Sequence, residues 1–471
     1  MLAARRDRRA FLKLAVVTSG LTVAGLYGSD FMQMANASVN SMKLQSISNI
    51  DSMNSDWQIP HLLRRAGFGA SPDELLFYQN LGISGALDRL LNFESIDTSN
   101  LPTEPDITME LEKKPTLGEV NNLVWWWVNR MINTPRPLEE KMALFWHNHF
   151  ATAIYKVRSP FLMFKQNELL RSKGMANFRD LLMGVSEDPA MLIWLDGARN
   201  RKGIANENYG REIMEVFTIG VGNYTEDDVK AAARAFTGYQ IDKAGNSYFN
   251  PKLHDDGTKS FLGQTGNLGM EDVVSTLASH PATARNISRE LFTFLAYDQP
   301  SSEILDKLQN VYMSTDGNIK AVVEAILKSD EFWSENAHLN QVKGPVDFVV
   351  SALRSLGATV NPNSVVYTLR VMGQLPFNPP SVFGWPSGTA WISTSTMLDR
   401  YNFPLLIDPT TATSLENRQT VDEVSKVLFP EGLPSDVLQT IQQSTDSLVN
   451  SSEKLRNIIR LTMASPFYNL N

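Results

Sequence analysis

The chain has 471 residues, enough for a sizeable core, with 43% hydrophobic and 20% charged residues and a formal charge of −8. A negative balance with no long Lys/Arg block speaks against nucleic-acid binding, because phosphate backbones repel it. The absence of cysteine excludes disulfides, thiolate metal sites, cysteine nucleophiles and an acylated lipoprotein anchor.

The N-terminus carries an address. Arg8–Arg9, followed by Ala10, Phe11, Leu12 and Lys13, resembles a twin-arginine export signal, with Asp7 where Ser or Thr is usual. The apolar run Leu14–Gly28 is diluted by Thr18, Ser19 and Gly20 and is too short for a comfortable membrane span. Small residues at Ala35–Ala37 suit a signal peptidase. The expectation is a signal peptide over 1–37, a flexible segment over 38–56, and one large domain over 57–471. The exported chain is then expected in the periplasm or outside the cell, with no membrane span after cleavage.

The remainder reads as mainly α. Ser71, Pro72 and Glu74 open a helix with a capping box, and Gly82 closes it. Val120, Leu123, Val124, Trp127 and Met131 share one helical face. After the break at "NTPRP", a helix is expected from Leu138 to about Phe150. "TEDDVKAAARAFTG" is another bounded helix, capped by Thr225 and Asp228. The period then changes: short apolar pieces around "KAGN" and "DDGT" predict one or two β-hairpins over about 239–263. Helices resume at Met270 and dominate to the end. "AILKSDEFW" and "LTMASPFYN" share an apolar helix end, a Ser and an aromatic, which similar ways of ending a helix would explain.

Four groups are candidates for chemistry. The phrase "WHNHF" (146–150) holds His147 and His149. Phasing puts His149 on the stripe Leu138, Met142, Phe145, and turns His147 about 200° away, so the two cannot grip one metal from a helix. In "NENYGREIMEVFTIG", Asn208, Glu212 and Glu215 share a stripe. Arg211 stands four residues from both Glu207 and Glu215. The bland alternative is a helix laced with ion pairs; the functional one is an acid–base or metal site using Glu212, Glu215 and Arg211. In "HDDGTK", His254 and Asp255 are candidate ligands, with His147 and His149, for one divalent or transition metal ion. Asp and Gly also suit a plain turn there. Trp385 and Trp391, on a Gly/Pro-rich loop, are candidates for a ligand platform or for plugs in the core. No P-loop, G-x-S-x-G or H-E-x-x-H is present.

These phrases together resemble a bacterial family known as domain of unknown function 1800. The resemblance runs from "HLLRRAGFGASPDEL" through "RPLEEKMALFWHNHF", "NENYGREIMEVFTIGVGNYTEDDVKAAARAFTGY" and "HDDGTKSFLG". It continues through "VKGPVDFVVSALRSLG" to "GQLPFNPPSVFGWPSGTAWIS" and "RYNF". Many relatives have His where this chain has Phe217. The resemblance implies an exported protein, often encoded beside a second exported family that is sulfatase-like, and implies no activity. Two functions are therefore expected: a non-catalytic envelope binding or assembly protein acting with that co-encoded partner, or a metal-assisted periplasmic hydrolase or oxidoreductase.

Overall fold

The computed structural model describes residues 57–108 and 114–471. The expected signal peptide (1–37) and flexible segment (38–56) lie outside the described residues. The first ten helices are α1 (Gln58–Arg65), α2 (Pro72–Leu91), α3 (Leu117–Asn133), α4 (Pro137–His149), α5 (Ile154–Val157), α6 (Pro160–Lys173), α7 (Phe178–Glu187), α8 (Pro189–Trp194), α9 (Glu207–Glu215) and α10 (Glu226–Ala235). Two antiparallel hairpins follow, β1 (Tyr239–Ile241) with β2 (Ser247–Phe249), and β3 (Lys259–Phe261) with β4 (Gln264–Gly266). Ten further helices complete the described chain: α11 (Met270–Ala278), α12 (Pro281–Leu295), α13 (Ser302–Ser314), α14 (Ile319–Leu327), α15 (Pro345–Leu356), α16 (Pro362–Val371), α17 (Thr394–Asn402), α18 (Val421–Leu428), α19 (Ser435–Thr445) and α20 (Ser451–Ala464). The protein is mainly α with a small β excursion, and no described helix is long and apolar enough to cross a membrane.

Local chemistry sets the boundaries. Ser71 Oγ accepts from the Glu74 N–H, and the Glu74 carboxylate accepts from the Ser71 N–H at 3.0 Å, so two orphan donors at the start of α2 are satisfied. The chain breaks at Gly82, as its sequence suggests, with φ 65° and ψ 175°; helix then resumes to Leu91. Thr225 and Asp228 form the same reciprocal cap on α10. In the first hairpin, Tyr239 faces Phe249 and Ile241 faces Ser247. The second turns at Leu262–Gly263, so "DDGT" is the link between the hairpins and not a hairpin turn. The shared helix ending is also resolved. Ser329 accepts from the Phe332 N–H and Ser465 from the Tyr468 N–H, and each hydroxyl donates back to a carbonyl three residues earlier. It is a serine cap used twice.

One apolar cluster draws on residues from Ile59 to Leu470. The last residues close onto the strand-like segment before α15: Lys343 N–H donates to Asn469 O at 2.9 Å, and Asn471 N–H to Gln341 O at 2.8 Å. At the centre lies α4, buried on both sides. Leu138, Met142, Phe145 and His149 form one buried face, and Glu140, Ala143, Leu144 and His147 form another. A helix enclosed this way must find an internal partner for every polar side chain.

Candidate functional site

The phrase "WHNHF" occupies the end of α4, and its polar side chains tie down segments distant in sequence. Trp146 Nε1–H donates to Gly174 O at 2.7 Å. His147 Nε2 accepts from the Phe377 N–H at 2.9 Å, while Trp127, Phe377 and Trp385 enclose its ring. Asn148 Oδ1 accepts from the Trp385 N–H at 2.7 Å. His149 Nε2–H donates to Phe217 O at 3.1 Å, and its Nδ1 pairs with Glu290 at 2.7 Å. The backbone at Phe377 has φ 66°, and Gly384 has φ 75°. A Cβ at Gly384 would stand 2.3 Å from Asn148 Oδ1, so only glycine admits this contact.

The two histidines are thus separated as their phasing requires, but both are interior. His147 lies 1% exposed between α4 and the loop that follows α16, so the other face that its phasing assigns it is also buried. Burial pushes its pKa down to about 3, so it is neutral at ordinary pH and acts as an acceptor. His149 meets α9 through the carbonyl just past its end and not through Glu212 or Glu215. That contact uses the backbone of Phe217, so its side chain takes no part in it.

The remaining candidates scatter. Arg211 forms a two-pronged pair with Glu226 at 2.8 and 2.9 Å and reaches Glu207 at 3.5 Å, leaving Glu215 aside. Glu215 accepts from Tyr224 Oη at 2.6 Å. Burial raises the pKa of Glu212, the neighbouring Glu215 raises it further, and Arg211 opposes them. Asp255 is clamped by Arg234 at 2.7 and 3.0 Å and receives the Gly257 N–H; the first of these holds its carboxyl well below the usual range. His254 Nδ1 lies 2.9 Å from Thr237 O, fixing the chain beside the hairpins. Trp385 and Trp391 are each only 6% exposed. They plug their loop into the core, so no open platform forms. Among the described residues, no group of three or more His, Asp and Glu is placed to hold a metal ion.

Two other buried polar clusters had no motif to announce them. In the first, Asp188 caps α8 by accepting from the Met191 N–H at 2.8 Å, and accepts from Gln166 Nε2 at 2.8 Å. Its partners are neutral, and burial raises its pKa to about 7. A carboxyl whose pKa is raised on folding weakens the native state as pH climbs from about 4 to 7. Asp188→Asn keeps a capping oxygen and removes the charge. It is expected to raise unfolding free energy by about 2 kcal/mol at pH 7.5 and to change it little at pH 4, read by urea unfolding at both.

The second cluster brings together α1 and the start of α15. Arg64 pairs with Glu431 at 2.5 Å, and Glu431 also holds His338 at 2.7 Å. The Arg64 Nε and Nη1 atoms are buried with no hydrogen-bond partner. Lys343 is 2% exposed, and its Nζ sits 3.9 Å above the Tyr468 ring. Both line one small cavity with Gly69, Ser351 and Ser355. Neighbouring cations are already engaged. Arg65 binds the carbonyls ending α12, Arg354 those ending α3, and Lys141 pairs with Asp347 at 2.5 Å. In sequence, Arg64 and Lys343 look like surface charges; only long-range packing marks them.

No curated protein and no solved structure matches the chain. A family model described as protein of unknown function (DUF1800) matches residues 61–470, nearly the whole described chain. The geometry above is therefore that of a DUF1800 protein, and the chain belongs to this family.

Proposed function

We propose that this protein is exported folded by the twin-arginine route and works in the periplasm or outside the cell. There it is a non-catalytic binding or assembly protein beside a co-encoded, exported, sulfatase-like partner. The observation that carries this reading is the engagement of most of the side chains with catalytic promise, Glu212 being the exception. His147, His149, His254, Asp255 and Arg211 each hold a structural contact, and "WHNHF" acts as a hub for four separate segments. A surface feature supports a protein partner: Leu76, Phe77 and Leu81 are exposed within two turns of α2, where a lone soluble chain would place polar residues.

The test is affinity capture of the tagged chain from the envelope fraction, at native expression, followed by identification of bound proteins. Recovery with the co-encoded partner, reduced several-fold by Phe77→Asp with Leu81→Asp, is the expected result. A chain found only in the cytoplasm, or captured alone, overturns the proposal.

A further inference from the structure

The cavity between α1 and α15 is lined by two buried cations and has a volume of about 20 Å³. That is room for a water molecule or a small ion. Gly69, whose backbone has φ 75°, forms part of its wall, and a Cβ there would make ordinary contact at 3.7 Å with Ser351 Cβ and Ser355 Oγ.

The charges around it do not balance. Glu431 answers Arg64, and Asp347 answers Lys141, but among the described residues Lys343 makes no ion pair. The Tyr468 ring covers one side of its ammonium, which offsets part of the desolvation cost. Arg64 meanwhile presents two guanidinium nitrogens that donate to nothing. Buried donors of this kind call for an acceptor, and a buried unpaired ammonium calls for a counter-charge. A water molecule would supply the acceptor alone; a small anion supplies both.

The geometry points to a binding site for one monovalent anion of halide size, held between Arg64 and Lys343 in the cavity floored by Gly69. A halide, a single atom with no further groups to place, is the simplest anion to suit so small a recess. Burial and the nearby Arg64 push the Lys343 pKa well below its ordinary value, with Asp347 opposing them. The site pins α1, the segment before α15 and the loop after α18 together, so occupancy is expected to stiffen the packing of these three segments.

Two measurements on the purified chain test this. Crystals soaked in sodium bromide are expected to show an anomalous bromine peak in the cavity within hydrogen-bond reach of Arg64 and Lys343. In solution, sodium chloride or bromide is expected to raise the melting temperature by about 2 °C over sodium gluconate of equal ionic strength, saturably. That difference is expected to disappear in Lys343→Met. Absence of the bromine peak overturns the proposal, as does an undiminished halide effect in Lys343→Met. Should that variant not fold, the bromide experiment on the unaltered chain decides alone.

Discussion

Replacing Glu140 by alanine is expected to cost about 3–5 kcal/mol of stability, more than any other single carboxylate deletion in the chain. Glu140 is fully buried. It accepts from Trp127 Nε1 at 2.8 Å, Arg130 Nε at 3.1 Å, and Arg171 Nε and Nη2 at 2.8 and 3.0 Å. One carboxylate therefore joins α3, α4 and α6. Both guanidiniums also lie within 6 Å of the Trp126 ring, so they are packed as well as charged. Removing the carboxylate leaves two nearly buried cations facing each other, with the half-exposed Glu168 still paired to Arg171, and the charge left unanswered accounts for most of the cost. Glu140→Gln keeps the volume and two acceptor sites but not the charge, and is expected to cost nearly as much. Urea unfolding of the two variants beside the parent checks this; a loss under 1 kcal/mol in both would show that the cluster is dispensable. The same group predicts acid sensitivity. Burial pushes its carboxyl upward, but Arg171, Arg130 and Trp127 outweigh burial and hold it below its ordinary value. Its contribution is then intact above the usual carboxylate range and is lost as pH falls below it.

Glu140 also shows where the sequence stops being legible. Glu139 and Glu140 stand together in the first turn of α4, where acidic residues suit the helix dipole and usually face water. Nothing local distinguishes the buried one. The stripe Leu138, Met142, Phe145, His149 is legible because one face is apolar at the helical period. The opposite face carries Glu140 and His147, two turns apart, and so resembles a solvated surface. It is interior because α3 brings Trp127 and Arg130 to meet Glu140, a packing of one helix on the next that the period of a single helix does not reveal. Capping boxes at Ser71 and Thr225, the break at Gly82 and the first hairpin turn are local, and the sequence suffices for them. The Arg64–Lys343 cavity joins residues 279 positions apart, and no spacing rule reaches that far.

The hub at "WHNHF" joins both kinds of information, and His147 gives the second large expected effect. Its pKa is about 3 in the folded chain, against 6.5 for a free imidazole, because burial penalises the imidazolium. The unfolded chain binds a proton below pH 6.5 that the native chain refuses until about pH 3. Stability therefore rises with pH across that window and is fully present only above it, an effect on the order of 4 kcal/mol. Asp188 has the opposite sign over nearly the same range, since its carboxyl takes a proton on folding. The two slopes offset each other in the parent chain, so its stability is expected to vary little between pH 4.5 and 6.5 on their account. Separate variants expose them. His147→Leu removes the acceptor of the Phe377 N–H and is expected to cost about 2–3 kcal/mol at pH 7.5. At pH 4.5 the cost is expected to vanish or reverse, because the protonation penalty has gone with the ring. Asp188→Asn is expected to tilt the profile the other way, steepening the loss of stability in acid. Urea midpoints at pH 4.5, 5.5, 6.5 and 7.5 for the parent and both variants decide the matter. Parallel profiles for all three would mean that His147 and Asp188 keep ordinary pKa values in the folded chain. The hub would then be wetter than its packing implies.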